Sequence, residues 1–259
     1  MLLGELRGLQ GNPVLAFSGG VDSSYLLALL AESRGAEGFR AVIGVSASLS
    51  TRQLAQARAV ATLLGIPLQE LGTAELERPE YRANLGERCF FCKDTLFAAL
   101  HALHGNAVIF DGSQLDDATG HRPGREAARL HGVQSPLLEA SISKADIRAL
   151  SARRGLPTAD LPATPCLASR FPAGTPVTEE GLARVEAAEE LLAALGFREL
   201  RVRHHEGGVA RIEVPKSEAA RLVDTQAGAA VVAGLKSLGF RFVTLDLEGF
   251  RSGSSSTLG

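Results

Sequence analysis

Over residues 1–155, apolar runs of strand length alternate with segments of helical spacing, and this alternation most narrows the folds open to the chain. Pro13–Phe17, Phe39–Ala47, Ile66–Leu71 and Ala107–Phe110 read as strands. Ser23–Ser33, Thr51–Leu64, Lys93–Leu103 and Pro123–Leu130 read as helices, the first with apolar residues at Tyr25, Leu26, Leu29 and Leu30. Strands separated by helices of this length imply right-handed crossovers and an α/β, doubly wound parallel sheet. Ligands of such sheets sit at the carboxyl ends of the strands. The turn after the first strand, the Ser46–Ser50 stretch and Asp111–Asp117 are all expected there.

The pattern changes at the proline-rich stretch Leu156–Pro176, which reads as a linker or an ordered loop over a site. Thr178 with Glu179 and Glu180 is a helix start. Arg198–His205 and Ala210–Val214 read as strands joined through Gly207-Gly208, a hairpin signal. Ser217–Val223 and Ala227–Leu238 read as helices and Phe242–Leu247 as a closing strand. The expected division is a nucleotide domain over residues 1–160, a smaller α+β domain over 161–252 and a disordered tail over 253–259.

The first Gly-rich turn, Ala16 to Ser24 (A-F-S-G-G-V-D-S-S), stands at a strand-to-helix junction. Gly19 and Gly20 allow consecutive backbone N–H groups to point inward as an anion nest, with the helix N-terminus behind them. Ser18, Ser23 and Ser24 add hydroxyl donors, and Asp22 is placed to hold Mg²⁺ against phosphate oxygens. The bland alternative is a Ser/Gly turn with Asp22 or Ser23 capping the helix. No GxxxxGK[ST] occurs, so this is not a Walker loop. Ser46 and Gly112, after the second and fourth strands, are candidates to meet the adenine or ribose, although small residues also simply end strands.

Composition limits the partners. A formal charge of −2 with scattered basic residues gives no basic face for a long nucleic acid. The longest apolar runs are strand-sized, too short for a membrane span, and the N-terminal stretch does not read as a secretory signal, so a cytoplasmic location is expected. Three cysteines, an odd number, argue for reduced thiols with chemistry rather than a disulfide framework. Cys89 and Cys92 form a C-x-x-C before the expected helix, and Cys166 lies in the proline-rich loop. Alone, Cys166 could equally be a small buried hydrophobe.

The Ser18–Ser23 stretch resembles the SGGxDS signature of the PP-loop ATP pyrophosphatases. The likeness extends over nearly the whole chain to the LarE family of ATP-dependent sulfur transferases. It is carried by Gly112–Asp117, His121–Ala128 (H-R-P-G-R-E-A-A), Ser135-Pro-Leu137 and Pro165–Pro172. Arg201–His204, Ala210–Val214 and Leu245–Ser252 carry it further. The resemblance implies a two-step reaction. ATP, with Mg²⁺, adenylylates a carboxylate of pyridinium-3,5-dicarboxylic acid mononucleotide with release of pyrophosphate, and a sulfur nucleophile then displaces AMP. The thiocarboxylates belong to the nickel-pincer nucleotide cofactor.

Cys166 stands where the family places its sulfur-donating cysteine. In one branch that cysteine surrenders its own sulfur. Three cysteines resemble the other branch, in which they hold a [4Fe–4S] cluster with one iron open to an extra sulfide. A persulfide relay and a partial zinc site are the alternatives. Arg201 and Arg203, two positions apart and so on one strand face, are the expected ligands of the substrate phosphate, with Glu189 nearby; an exposed strand face is the competing interpretation. Arg170 is expected to stabilise the acyl-adenylate oxygen. A homo-oligomer, a hexamer built from trimers, is implied by the resemblance. The rival functions are a tRNA-thiolating PP-loop enzyme, an ammonia-dependent amide synthetase and a non-catalytic ATP-binding module.

Overall fold

The computed structural model describes residues 2–119, 122–223 and 225–251. The expected disordered tail and, of the matched stretches, His121 and Ser252 lie outside them. The described residues up to Arg78, with Glu87–Thr164, form one compact unit; Pro79–Gly86, with those from Pro165 onward, form another.

In the first unit β1 (Val14–Ala16), β2 (Arg40–Val45), β3 (Leu68–Gly72) and β4 (Ile109–Phe110) form one parallel sheet in the order β3-β2-β1-β4. Leu15 pairs with Ala41 on one side and with Phe110 on the other. The α/β class implied by the alternation is thus the observed one. The chain winds from β1 outward to β3 and then returns to place β4 beyond β1, so the switch point of the topology lies between β1 and β4.

Helices α1 (Leu2–Gly8), α2 (Val21–Arg34), α3 (Thr51–Leu63), α5 (Arg88–His104), α6 (Pro123–Leu130), α7 (Pro136–Glu139) and α8 (Lys144–Arg153) complete this unit. Val21 and Ser23–Leu30 of α2 are all buried, the pattern of a helix enclosed on every side. Its Leu26, Leu27 and Leu30 pack with Leu15, Phe17, Val60 and Phe110 in the largest core. Capping sets the boundaries of two flanking helices. Ser50 accepts from Gln53 N at 3.2 Å to start α3. Ser143 and Asp146 form a capping box at the start of α8.

The second unit contains α4 (Pro79–Ala83), α9 (Glu179–Ala194), α10 (Lys216–Ala219) and α11 (Gln226–Ser237), with strands β5 (Arg201–His205), β6 (Val209–Glu213) and β7 (Phe242–Leu245). Thr178 caps α9 by accepting from Gly181 N. β5 and β6 pair antiparallel through Gly207 and Gly208, both left-handed at φ 74° and 75°, as the hairpin signal required. β7 joins β6 in parallel after the α11 crossover. Ala188, Leu192, Phe197, Val202, Ile212, Val231 and Leu235 form its own core.

Two boundaries differ from the sequence expectation in ways that matter. Helix α5 begins at Arg88 rather than Lys93, because the turn through Gly86 (φ 104°) ends just before it and nothing in R-C-F-F-C-K breaks a helix. The cysteine pair therefore rides on the first turn of α5. Residues 79–86 leave the first unit, and Asn84, in the left-handed region at φ 53°, donates to the carbonyls of Pro172 and Thr175 at 2.8 and 3.0 Å. No helix among the described residues is long and apolar enough to cross a membrane.

Candidate active site

Between β1 and β4, at the topological switch point, lies a pocket of about 260 Å³. Its walls come from the turn after β1, the turn after β4 and the side of α5 that carries Lys93 and Phe97.

The turn after β1 is knitted by its own hydroxyls. Ser23 Oγ lies 2.9 Å from Ser18 Oγ, accepts from Ser18 N at 3.3 Å and bonds Gly20 O at 3.3 Å. Gly20 occupies the N-cap of α2 with no side chain to satisfy the first amides, which leaves those donors for an external anion. Gly19 has φ 73°, and a Cβ there would lie 2.8 Å from Cβ of Ala57 on α3, so only glycine fits. Gly112 also permits a close approach: a Cβ there would stand 2.9 Å from Ser23 N. The neighbour it admits is the backbone at the start of α2, and that packing brings the two turns together.

Three carboxylates line the pocket, each with a cation. Lys144, on the first turn of α8, places Nζ 2.8 and 2.7 Å from the two oxygens of Asp22. Burial pushes the Asp22 carboxyl up from its ordinary range, against the opposing pull of Lys144. Lys93 Nζ lies 2.8 Å from Asp111, which also accepts from Ser113 Oγ and Ser135 Oγ at 2.8 and 2.7 Å. Burial alone would raise the Asp111 carboxyl, but Lys93 and the two hydroxyls outweigh it and hold it low. Arg122 lies 2.7 Å from Asp117.

Two expected donors sit elsewhere. Ser24 is fully buried within α2 and does not line the pocket. Ser46, at the end of β2, donates to buried Glu75 and accepts from Ser48 N, again outside the pocket lining. Lys93 and Lys144 were not singled out by the sequence, and Asp111 and Asp117 only as the ends of a segment expected at the strand ends. Lys93 follows the C-x-x-C directly, which is the one signal that could have marked it.

Cys89 and Cys92, three positions apart on the first turn of α5, share a helix face; Cys89 is exposed and Cys92 half-buried. A Cβ at Gly124 would stand 3.4 Å from Cys89 O and 3.0 Å from Lys93 Cδ, so glycine there lets α6 lie close against this turn.

In the second unit, Cys166 is half-buried at the head of the short 3₁₀ turn Leu167–Arg170. Arg170 clamps that turn. Its Nη1 donates to Pro165 O at 2.7 Å, Cys166 O at 3.2 Å and Ser169 Oγ at 2.9 Å. Its Nε and Nη2 grip Glu189 at 2.8 and 3.0 Å. Glu189 in turn accepts from Val202 N, tying α9 to β5. Arg203 donates to Ser169 O at 2.8 Å and pairs with Glu213. The loop that carries Cys166 is therefore held by two arginines, and the geometry makes Arg170 a clamp of that loop.

Arg201 and Arg203 do share a strand face, but it is a buried one, not an exposed one. The charge of Arg203 is closed on Glu213. Arg201, 3% exposed, stacks its guanidinium 4.7 Å above the Phe250 ring and donates to Arg251 O. No carboxylate of the described residues forms a salt bridge with it. Burial, then the charges of Arg203 and Arg170, disfavour its protonated form. Arg170 is thus closed on Glu189 and Arg203 on Glu213, while Arg201 lies beside them in no salt bridge with a described carboxylate.

Among the described residues no three His, Cys, Asp or Glu side chains are gathered to hold a metal ion. No family model matches the chain. Individual relatives do. The chain is 42% identical over 254 residues to an uncharacterized protein of Synechocystis, covering 97% of this chain and 94% of that one. It is 36% identical over 256 residues to the pyridinium-3,5-bisthiocarboxylic acid mononucleotide synthase of Lactiplantibacillus plantarum, covering 97% and 91%. An uncharacterized protein of Methanocaldococcus jannaschii is 26% identical over 242 residues, covering 92% and 90%.

Proposed function

The chain belongs to the LarE family, that of the pyridinium-3,5-bisthiocarboxylic acid mononucleotide synthase, and from that premise we propose that it is an ATP-dependent sulfur transferase acting on the carboxylates of pyridinium-3,5-dicarboxylic acid mononucleotide. The observation that carries this reading is the hydroxyl-knitted turn Ser18–Ser23 at the uncapped start of α2, opening on the switch-point pocket.

A substrate carboxylate oxygen attacks the α-phosphorus of ATP; the bond to the β-phosphate oxygen breaks and pyrophosphate leaves. The turn amides and the hydroxyls of Ser18 and Ser23 receive that pyrophosphate. The product is an acyl-adenylate, whose AMP is a far better leaving group than the carboxylate oxygen. A sulfur nucleophile adds to the carbonyl, the C–S bond forms and AMP departs. Arg201, a buried guanidinium in no salt bridge with a carboxylate of the described residues, suits the substrate phosphate.

Mg²⁺ binds through one or two carboxylates together with substrate phosphates, and Asp22 on the pocket wall supplies an oxygen of that kind. When bound, the ion neutralises the charge that develops on the departing pyrophosphate.

Sulfur handling is assigned to Cys166. For a [4Fe–4S] cluster, Cys89 and Cys92 fit as two ligands from one helix face of the first unit, and Cys166, carried by the second unit, is the third thiol of the chain. No step is routed through a cluster. Iron and acid-labile sulfide in protein prepared without oxygen would decide it: near-equal amounts lost in Cys89→Ala, Cys92→Ala and Cys166→Ala support three-cysteine ligation. The family resemblance also supports a cytoplasmic homo-hexamer, which analytical ultracentrifugation would read.

The test of the reaction class is the fate of ATP. Pyrophosphate and AMP should appear only when the dicarboxylate mononucleotide is present. ADP and phosphate, or release indifferent to the substrate, would overturn the reading.

A further inference from the structure

Every carboxylate on the pocket wall is already paired, but the three pairs are not built alike. Asp111 is braced on several sides, by Lys93, Ser113 and Ser135, and its side chain is 5% exposed. Asp117 pairs with Arg122 and also accepts from Gln114 N. Asp22 is held by Lys144 alone among the described residues, both oxygens taken by one ammonium, and the two side chains are 25% and 32% exposed. The base of Lys144 is fixed, since its backbone N donates to Asp116 Oδ2 at 2.8 Å, while its four-carbon stem can still swing.

A bare dication entering this pocket finds no open carboxylate. To reach Asp22 it must expel the ammonium from both oxygens and leave that cation partly buried without a counter-ion, which is costly. A nucleotide removes the conflict. Its phosphates, seated at the start of α2 one residue from Asp22, offer the ammonium another anion, and the dication that accompanies them takes the carboxylate.

We propose that Lys144 is an exchangeable counter-ion of Asp22, which it occupies until nucleotide arrives and then leaves for the phosphates, so that the divalent cation binds only together with nucleotide. This rests on the nucleotide reading of the pocket given above. It makes Lys144 a positioning residue and a guard against metal binding without nucleotide.

The test uses Mn²⁺ as probe, followed by electron paramagnetic resonance on the full chain. Wild-type protein should bind Mn²⁺ alone weakly and take it up when α,β-methylene-ATP is added. Lys144→Met should bind Mn²⁺ alone roughly tenfold or more tightly than wild type, because the competing cation is gone. Lys144→Arg should restore the weak binding, and Asp22→Asn added to Lys144→Met should abolish the gain. Equal Mn²⁺ affinity in wild type with and without the analogue overturns the inference, and needs no variant to observe. Unchanged Mn²⁺ affinity in a folded Lys144→Met overturns it too. Binding of the analogue itself, followed by calorimetry without metal, separates the two levels: if it binds, only the exchange fails, and if it does not, the nucleotide reading fails as well.

Discussion

Arg203 and Glu213 close on one another across the β5–β6 hairpin, Nε to Oε1 at 2.8 Å and Nη2 to Oε2 at 3.1 Å, with side chains 5% and 2% exposed. The pair also carries the Cys166 loop, because Arg203 Nη1 holds Ser169 O. Glu213 also accepts from Arg211 Nη2 at 3.2 Å, so removing it strips a buried guanidinium and a half-exposed one of their shared carboxylate. Glu213→Ala should therefore cost about 3–5 kcal/mol of unfolding free energy, while Arg203→Met with Glu213→Leu should cost much less. Urea denaturation of both variants checks this. A single variant as stable as wild type would contradict it.

Arg201 should behave in the opposite way. Its loss orphans no carboxylate among the described residues, so Arg201→Gln is expected to change stability by less than about 1 kcal/mol. If it holds the substrate phosphate, the same change weakens substrate binding by about 2 kcal/mol or more, roughly thirtyfold in Kd. Calorimetry with the dicarboxylate mononucleotide, alongside denaturation, separates the two effects. Large destabilisation with unaltered Kd would assign Arg201 to the fold instead.

Gly19 and Gly20 are neighbours with different demands. At Gly19 a methyl group meets Ala57 at 2.8 Å in a left-handed backbone, whereas at Gly20 it meets only Ser18 Oγ at 3.4 Å. Gly19→Ala should lose about 1–3 kcal/mol through strain and with it ATP binding. Gly20→Ser, a good N-cap substitution, should stay within about 0.5 kcal/mol of wild type. Melting curves with and without ATP read both. Equal tolerance at the two sites would refute the packing argument.

Stability at low pH should depend on Asp111. Its folded-state pKa lies below the ordinary carboxylate value, because Lys93 and two serine hydroxyls overcome the burial penalty. A depressed pKa contributes stability above the unfolded-state value, and that contribution is lost as pH falls through the folded one. Wild type should lose stability steeply below about pH 4, and Asp111→Asn should be less stable near neutrality but flatter in that window. Parallel pH profiles would rule out Asp111 as the source.

The alternating pattern of residues 1–155 was enough to define the parallel sheet, because β1, β2 and β4 are largely buried and read as apolar runs, while the edge strand β3 keeps only Leu68 and Leu71 of that signal. Ser18–Ser23 was equally legible, since glycine and hydroxyl chemistry at a strand–helix junction is local. The ion pairs were not. Lys93 meets Asp111 across 18 positions and Lys144 meets Asp22 across 122, so nothing in either segment announces its partner. Helix α8 could have been found from Ser143 and Asp146, a capping signal one helical turn apart. The spacing of Arg201 and Arg203 gave their shared face correctly, but Ser169 against Arg203 and Phe250 against Arg201 cover that face, and neither contact is local in sequence.

The most direct measurement is mass spectrometry of the mononucleotide after incubation with the anaerobically prepared protein, ATP, Mg²⁺ and sulfide. The account predicts a product in which sulfur has replaced a carboxylate oxygen, formed with matching AMP and pyrophosphate and absent in Cys166→Ala. ATP cleavage that leaves the mononucleotide unchanged, or turns it into an amide when ammonia is supplied, would contradict the assignment as a sulfur transferase.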